Sequence, residues 1–560
     1  MRTLYRNGRI HTRAAPGATA MLVDGRPGGA VVAWVGSQEA AADLAGAGVT
    51  EVDLAGALVT PAFVDGHVHC LDTGLHQLGV DVTTARTVAD VLDRVATAAR
   101  ARPGAPVLGH GWDETRLAEG RPPTMAELDR AAPGAVVYLS RVDVHSAVVS
   151  PALATVARLV DLAGWDPAGR VERDAHHAAR AAARDLGPSA RRDAHEAALR
   201  AAAAAGIGTV HEMGGPDLAG PVDLPVLVET ARAVGLGLRA YWGQLAGEGP
   251  GERSGVADAL AASGLDPADP ADPADVAGLV GLAGLAGDLC VDGSIGSRTA
   301  AFREPYADAD TRGRLYLTPA EVAGHVAACG RAGVQAGFHV IGDAGLDAIL
   351  DGLDLAARDA GEATVRQARV RLEHVEAADD EQVRRLVSHA ATASVQPAFS
   401  ATWGGPTGMY ATRLGGERAA RLNRFAALAT AGVPLALGSD SPVTPFDPWG
   451  AVAAATAHED PAARLSARAA FAAHTRGAHR AADGPGATAG VLTPGAPATF
   501  AVWEVGELVV HVPDGRVQAW STDPRSATPP LPALGPDRPA PRCLRTVVTG
   551  QPVHDSGDLG

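Results

Sequence analysis

The chain has 560 residues, of which 46% are hydrophobic but 4% are aromatic, and its formal net charge is −16. Because this length exceeds one ordinary core, the sequence predicts several domains or one large barrel with additions. The negative charge argues against a general nucleic-acid or anionic-membrane surface, and no apolar run is long enough to cross a bilayer. The first residues lack the apolar core of a signal peptide, and the four cysteines show no paired spacing. We therefore expect a reducing, cytoplasmic setting.

Both ends of the sequence have the pattern of short strands separated by turns. Residues 1–56 alternate apolar runs with Asn-Gly, Asp-Gly and Gly-Gly turn signals, and residues 485–560 have the same character around a proline-rich linker. We expect these two ends to form one small composite β-sandwich domain.

The middle of the chain, residues 57–484, alternates apolar strands with helical stretches. This order favours an α/β fold with a parallel sheet, and eight such units favour a closed, TIM-like (β/α)8 barrel. An insertion at about residues 71–205 separates the first two strands. The eight predicted strands are Leu58–Val64, Ile207–His211, Leu236–Trp242, Leu289–Asp292, Val334–Val340, Val370–Val375, Thr392–Gln396 and Pro434–Leu437.

Metal-capable side chains follow most of these strands. In such a barrel, catalytic groups gather at the carboxyl ends of the strands, so these side chains are candidates for one shared site. In an extended segment, side chains two residues apart share a face, so His67 and His69 point the same way. Imidazole with carboxylate is the usual ligand set of a catalytic zinc. The strand-end candidates include His67, His69, His211, Glu212, Asp292, His339, Asp343, Glu373, His374 and Asp440.

Several segments resemble those of a known group of enzymes. TPAFVDGHVH, HVIGD, RLEHVE and GSDSPV are similar to segments of the amidohydrolase superfamily. DGSIGSRTA, the run RVDVH and the β-rich ends are similar to its YtcJ-like branch, which includes N-substituted formamide deformylases. The resemblance implies a metal-bearing (β/α)8 barrel with a β-sandwich built from both termini. It implies that a divalent ion, with zinc favoured, is held at His67, His69, His339, His374 and Asp440.

One position departs from that pattern. Family members often carry a lysine four residues before the aspartate of DGS, and its carboxylated form bridges two metal ions. Here that position is Asp288, and the chain contains no lysine, so a carbamate bridge is chemically impossible. Asp288 is a candidate ligand in its place, but it is too short to span two ions about 3.5–4 Å apart. We therefore favour one tightly bound ion over two.

The predicted activity is hydrolysis of a carbon–nitrogen bond other than a peptide bond, of the amide, N-acyl or N-formyl type. A bound zinc ion lowers the pKa of water to about 7. We expect Asp440 to take the water proton and later give it to the departing amine. His374 either binds the metal or donates to the developing oxyanion, and with a single ion the second role is favoured.

Four further residues are weaker candidates for substrate contacts: His145, Trp112, Arg298 and Asp292. His145 and Trp112 belong to the insertion. Arg298 is suited to hold an anion bidentately, and Asp292 to orient a ligand or the backbone. Each also has a purely structural interpretation, such as an arginine that holds a loop in place.

Two other functions remain open at this point. The first is a deaminase of a heterocyclic amine, which uses the same barrel with one metal ion. The second is a barrel without turnover that has a binding or regulatory role, for which the missing lysine is the main argument. The retention of all five ligand positions argues against it. We expect a small-molecule substrate and no nucleic-acid or membrane partner, with a homodimer as the default assembly.

Overall fold

The computed structural model describes the whole chain apart from residues 115, 142–145, 217, 219, 248–254, 266–279, 485–487, 512–519, 522–528 and 560. The chain divides into two compact units. The first combines Met1–His69 with Leu199–Gly560, and the second is Cys70–Ala198. Among the described helices, none is both long enough and apolar enough to span a membrane.

Eight parallel strands form a barrel in the first unit, and they follow one another around the sheet in sequence order. The strands are Phe63–Val68, Ile207–Gly214, Gly237–Trp242, Val280–Leu285, Gln335–Val340, Arg371–His374, Thr392–Val395 and Leu435–Leu437. The first and last strands meet where the Asp440 N–H donates to the His67 carbonyl at 2.7 Å and the His69 N–H donates to the Ser441 carbonyl at 2.9 Å. The predicted (β/α)8 barrel is confirmed.

Helices connect the barrel strands, and several have clear sequence signals at their ends. Thr318 and Glu321 form a capping box at the start of Pro319–Ala332, and Gly333 ends that helix with a φ of +68°. The α-helices that begin in the barrel part of this unit are Asp223–Val234, Val256–Ala261, Pro319–Ala332, Asp343–Ala360, Glu362–Gln367, Asp380–Ser388, Pro397–Trp403, Met409–Leu414, Gly416–Ala419, Phe425–Ala431, Pro448–Thr456, Ala467–Ala472 and Ala478–Asp483.

Two predicted strands were misplaced. The apolar run from Leu58 divides, because Leu58–Pro61 pairs antiparallel with Phe500–Glu504 and the barrel strand is Phe63–Val68. The fourth barrel strand is Val280–Leu285, whose glycines and alanine give a weak strand signal. The more strand-like segment Leu289–Asp292 makes one isolated bridge, between Cys290 and His339.

Strands from both ends of the chain share a sheet in the first unit. This five-stranded sheet has the order Arg9–Ile10, Leu58–Pro61, Phe500–Glu504, Arg542–Val548 and Gln551–Asp555. A second sheet has the order Val31–Gly36, Ala20–Asp24, Arg2–Arg6 and Val49–Asp53. Tyr5, Met21, Phe500 and Leu544 belong to one buried cluster that joins the two ends. The domain limits at residues 56 and 485 stay a prediction.

The second unit lies in sequence between the first two barrel strands. Its sheet has the order Arg170–Glu172, Ser146–Val149, Val137–Arg141, Val107–Trp112 and Val80–Asp81. The helices that begin in it are Cys70–Leu78, Val88–Ala101, Met125–Ala131, Pro151–Val156, Arg173–Ala183 and Pro188–Ala204. The predicted insertion limits, about 71 and 205, stay a prediction.

Candidate metal centre

Six side chains from five strand ends of the barrel converge, because His67 and His69 both come from the first strand. The ligand atoms form three overlapping groups, and within each group they lie within 4.8 Å of one another. The groups are His67 with His374 and Asp440, His67 with His69 and Asp288, and Asp288 with His339 and His374. All five positions implied by the sequence resemblance therefore come together. Asp288 joins them as a sixth side chain.

The distances around Asp440 are those expected between ligands of one ion. Its Oδ1 atom lies 3.5 Å from Nε2 of His67 and 3.2 Å from Nε2 of His69. Ligands bonded at zinc distances in a tetrahedral site stand about 3.4 Å apart. One cation can therefore contact these three atoms together.

Asp288 faces all four imidazoles of the cluster. Its Oδ1 atom lies 3.5 Å from Nε2 of His67, 3.6 Å from Nδ1 of His339 and 4.0 Å from Nε2 of His374. Its Oδ2 atom lies 3.2 Å from Nε2 of His69. The carboxylate thus lies between the pair His67 and His69 and the pair His339 and His374.

Hydrogen bonds on the outer ring nitrogens turn the imidazoles towards this centre. Nδ1 of His67 donates to Oε2 of Glu373 at 2.9 Å, and Nδ1 of His374 donates to Oε1 of Gln396 at 2.8 Å. Nε2 of His339 donates to a backbone carbonyl at 3.2 Å. With these protons directed outwards, the opposite ring nitrogens present lone pairs to the cluster, as metal-ligating histidines do.

The chemistry of the donor set fits a divalent cation. Nε2 of His67, Nδ1 of His339, Oδ1 of Asp288 and Oδ1 of Asp440 are buried and have no hydrogen-bond partner among the described residues. Leaving one buried polar atom without a partner costs about 1–3 kcal/mol, so four that face one another need an explanation. A nitrogen and oxygen set of this kind suits zinc or a similar ion.

The carboxylates and imidazoles shift one another's pKa values strongly. Burial opposes the charged form of His339, but the Asp288 carboxylate outweighs it and raises the pKa of His339 to about 9. Burial would raise the pKa of Asp288, yet His67, His339 and His69 hold it well below the usual range. Burial and the neighbouring histidines lower the pKa of His374 to about 4. A cation that binds here replaces protons, so acid weakens its binding.

The backbone is specialised at three of these positions. A Cβ atom at Gly66 would lie 2.8 Å from the carbonyl oxygen of Leu437, so glycine is needed where the first and last strands approach. His374 and Asp440 have φ values of +70° and +58° in the left-handed region. Such conformations cost about 1–3 kcal/mol and cluster at functional sites.

The helix Pro397–Trp403, which follows the seventh strand, places an aromatic side chain beside His374. The Phe399 ring is nearly parallel to the His374 ring, at 12° with centroids 6.0 Å apart. Trp403, which is half-buried, lies 4.7 Å from Phe399 and 6.1 Å from Tyr410, centroid to centroid. Phe399 thus contacts a candidate metal ligand, and Trp403 packs against Phe399 and against a buried cluster that includes Tyr410.

The weaker candidates of the barrel have structural partners. Asp292 is fully buried, and its carboxylate accepts backbone N–H bonds from Ala301, Ile341 and Gly342 at 2.8–2.9 Å. It therefore orients the backbone instead of a substrate. Arg298 forms a bidentate pair with Asp308, at 2.9 and 2.7 Å, and holds a loop.

The two candidates of the second unit are not part of a described site. The Trp112 indole is fully buried in the core of that unit and donates to the Leu139 carbonyl at 2.8 Å, and its role in shaping a pocket stays a prediction. Indole burial of this kind cannot be read from the local sequence. His145 lies outside the described residues.

Several functional candidates were missed from the sequence. Glu373 was noted as a strand-end residue, but its contact with His67 was not foreseen. The alternation in Arg371–His374 was the available signal, because it puts Arg371 and Glu373 on one face of a buried strand. Nothing in the segment from Pro397 to Trp403 indicated that the Phe399 ring would lie beside His374.

Comparisons with known proteins show the family to which this chain belongs. Residues 50–554 match the amidohydrolase family. Putative amidohydrolase YtcJ of Bacillus subtilis (strain 168) is 24% identical over 465 residues, which cover 80% of this chain and 82% of the relative. Protein LONG AFTER FAR-RED 3 of Arabidopsis thaliana is 26% identical over 476 residues, which cover 80% of this chain and 76% of the relative. An uncharacterized metal-dependent hydrolase from Pyrococcus furiosus superposes with a TM-score of 0.71 at 25% identity, covering 90% of this chain and 98% of its own.

A (β/α)8 barrel with this ligand cluster and these relatives defines a metal-dependent hydrolase. The chain belongs to the amidohydrolase family, in its YtcJ-like branch.

Proposed function

We propose that this protein hydrolyses the carbon–nitrogen bond of small amides of the N-acyl or N-formyl type. The observation that carries the proposal is that four buried ligand atoms, with no hydrogen-bond partner among the described residues, belong to three overlapping groups of metal-capable side chains. A divalent cation held there supplies Lewis acidity, which polarises a substrate carbonyl and makes hydroxide available near neutral pH.

Asp440 is the proton carrier in this proposal. Its Oδ1 atom faces His67 and His69, and its backbone N–H is fixed to the first strand. The surrounding histidines outweigh burial and lower its pKa, so the carboxylate is ionised at neutral pH and free to accept a proton. It accepts the proton of the attacking water and passes it to the departing nitrogen.

His374 is better suited to act as a metal ligand than to donate a hydrogen bond to an oxyanion. Its Nδ1 proton is donated to Gln396, and its lowered pKa keeps the ring neutral. Nε2 then carries a lone pair and no proton, which is the state of a ligand and not of a hydrogen-bond donor. This arrangement reverses the preference derived from the sequence.

We infer one tightly held ion, with zinc favoured. His67 and His69 each lie 3.2–3.5 Å from a carboxylate oxygen of Asp440 and from one of Asp288, so these four groups are candidate ligands of that ion. The pair His339 and His374 has to share the same Asp288 carboxylate and lies farther from it. A second ion there is expected to bind more weakly, because it has fewer ligands of its own.

The substrate is expected to carry a planar apolar group. Phe399 lies next to His374, Trp403 packs against Phe399, and the half-buried Trp403 is partly accessible. A flat group of a substrate whose carbonyl lies at the metal centre can stack on such rings. The same rings also favour the alternative, a deaminase of a heterocyclic amine, since a ring substrate would stack equally well.

The test measures product release by the purified protein, which is prepared without chelators and loaded with zinc. The substrates are a panel of N-formyl amines, N-acyl amines and heterocyclic amines. Release of an amine with formate or another carboxylate supports the proposal, and release of ammonia from a heterocycle supports the deaminase. Asp440→Asn must lower the activity by about 10²–10⁴-fold, while the exposed Asp359→Asn must leave it unchanged. Equal turnover by wild type and Asp440→Asn would contradict both.

A further inference from the structure

A single arginine lies at the centre of the barrel interior. Arg371 is fully buried on the sixth strand, and each of its nitrogens is bonded to protein acceptors. Its contacts come from five of the eight strands: the carbonyl of Gly66, Nδ1 of His211 at 2.9 Å, the hydroxyl of Tyr241 at 3.1 Å, Oε1 of Glu373 at 2.7 Å and Oγ of Ser394 at 3.0 Å. The guanidinium also stacks over the Tyr241 ring.

Two of these contacts lead directly to His67. Glu373 accepts from Arg371 with both carboxylate oxygens, and its Oε2 atom also accepts the Nδ1 proton of His67 at 2.9 Å. The carbonyl of Gly66 belongs to the peptide that precedes His67, and Arg371 donates to it. Arg371 therefore holds both the carboxylate that orients the His67 ring and the backbone from which that ring extends.

Arg371 and Glu373, the two residues that connect to His67, carry opposite charges. Arg371 donates to both carboxylate oxygens of the fully buried Glu373, at 2.7 and 3.3 Å, so the two opposite charges compensate one another. Glu373 is therefore an ionised acceptor for His67 in a fully buried position. A carboxylate behind a ligating histidine fixes its tautomer and strengthens it as a ligand, and loss of such a partner costs about 10–100-fold in metal affinity.

We propose that Arg371 is a positioning residue of the metal centre, which sets the affinity for the cation through Glu373 and the Gly66 carbonyl. The inference rests on the proposed metal centre, but it concerns binding of the ion and not turnover. A purely structural role would leave the affinity unchanged. Tyr241 provides the matched control, because its hydroxyl accepts from the same guanidinium and has no contact with His67 among the hydrogen bonds described here.

The experiment measures the zinc dissociation constant of the full-length protein by competition with a chelator. Arg371→Met and Glu373→Gln are each expected to weaken zinc binding by about 10–100-fold, whereas Tyr241→Phe leaves it unchanged. Arg371→Met leaves Glu373 buried without its ion-pair partner, so it is the variant at most risk of misfolding. The double variant Arg371→Met/Glu373→Gln removes both charges and leaves no unpaired buried ion. Zinc binding can therefore still be measured if Arg371→Met alone misfolds.

The double variant also distinguishes a positioning role of Arg371 from a purely structural one. If Arg371 acts through Glu373, the double variant binds zinc about as weakly as Glu373→Gln alone, because the two effects are not additive. The Co²⁺-loaded variants must also show an altered electronic spectrum, since the His67 ligand is displaced. Wild-type affinity in a folded Arg371→Met, or an equal loss in Tyr241→Phe, would overturn the positioning role. Failure of the wild type itself to bind zinc or cobalt would instead overturn the metal centre.

Discussion

Oδ2 of Asp288 lies 3.2 Å from Nε2 of His69, and Oδ1 of the same carboxylate lies 3.6 Å from Nδ1 of His339. An unmodified aspartate thus faces both histidine pairs of the centre, at the position where related proteins often carry a carboxylated lysine. Since the chain contains no lysine, the centre needs no carbon dioxide to assemble.

The first prediction concerns this assembly. Zinc content and activity of the wild type are expected to be the same in buffer depleted of carbon dioxide and in buffer supplemented with bicarbonate. Replacing Asp288 by Asn removes a charged ligand and is expected to weaken zinc binding at least about tenfold, while exposed Asp359→Asn has no effect. Metal analysis after dialysis measures both. Bicarbonate-dependent zinc binding by the wild type would contradict the assignment of Asp288.

The second prediction concerns Asp440. Asp440→Asn keeps the shape of the side chain but removes its ability to accept a proton. We expect kcat to fall by about 10²–10⁴-fold with a small change in KM, because general acid–base catalysis contributes about that factor. Steady-state kinetics on the zinc-loaded protein measures it. An equal rise in KM with unchanged kcat would show a binding role instead.

The third prediction concerns the aromatic rings. Trp403→Ala is expected to raise KM by about 2–12-fold for amides with an aromatic substituent, because a stacked ring contributes about 0.5–1.5 kcal/mol. Amides with a methyl group at that position should be unaffected. The neighbouring Thr402→Ala, an exposed side chain on the same helix, is the control. If KM rises equally for both kinds of amide in Trp403→Ala, the indole supports its helix and does not contact the substrate.

The fourth prediction concerns stability in acid. His325 is fully buried, with Nε2 donating to the Leu285 carbonyl and Nδ1 accepting from the Ala246 N–H, both at 3.0 Å. Burial lowers its pKa from 6.5 to about 4. Between these values the unfolded chain binds a proton that the folded protein does not. The free energy of unfolding from this residue therefore falls as the pH drops through that range, by up to about 1.4 kcal/mol per pH unit.

Denaturant unfolding at several pH values tests this contribution. His325→Gln removes the titrating group, so its free energy of unfolding should depend less steeply on pH between about 6.5 and 4 than that of the wild type. His177→Gln, at an exposed position of the second unit, should retain the wild-type slope. Parallel slopes for the wild type and His325→Gln would show that burial of this imidazole does not control the acid response.

The sequence predicted the barrel and the converging ligands because both depend on periodicity. Strand ends of a parallel barrel meet at one edge whatever the loops do, so His67, His339 and His374 could be placed together before their distances were known. Strand limits were less accurate where the signal was ambiguous. The apolar run that begins at Leu58 gave no sign that its first part belongs to a different sheet from the barrel. The glycine-rich segment Val280–Leu285 gave little strand signal.

Contacts that depend on three-dimensional packing were not predictable. The preference for an oxyanion role of His374 failed to anticipate that Gln396 would take its Nδ1 proton. Trp112 gave no sign of its complete burial, and the role of Arg371 depends on groups from four other strands. These features follow from how the strands pack around a shared interior, which local sequence does not record.

The most direct test of the account is the metal content of the protein purified without chelators, measured beside His67→Ala. We expect about one tightly held equivalent of zinc or a similar divalent ion per chain in the wild type, and its loss in the variant. No retained metal in the wild type, or the same content in His67→Ala, would contradict the metal centre. Two equally tight equivalents would contradict the single-ion assignment.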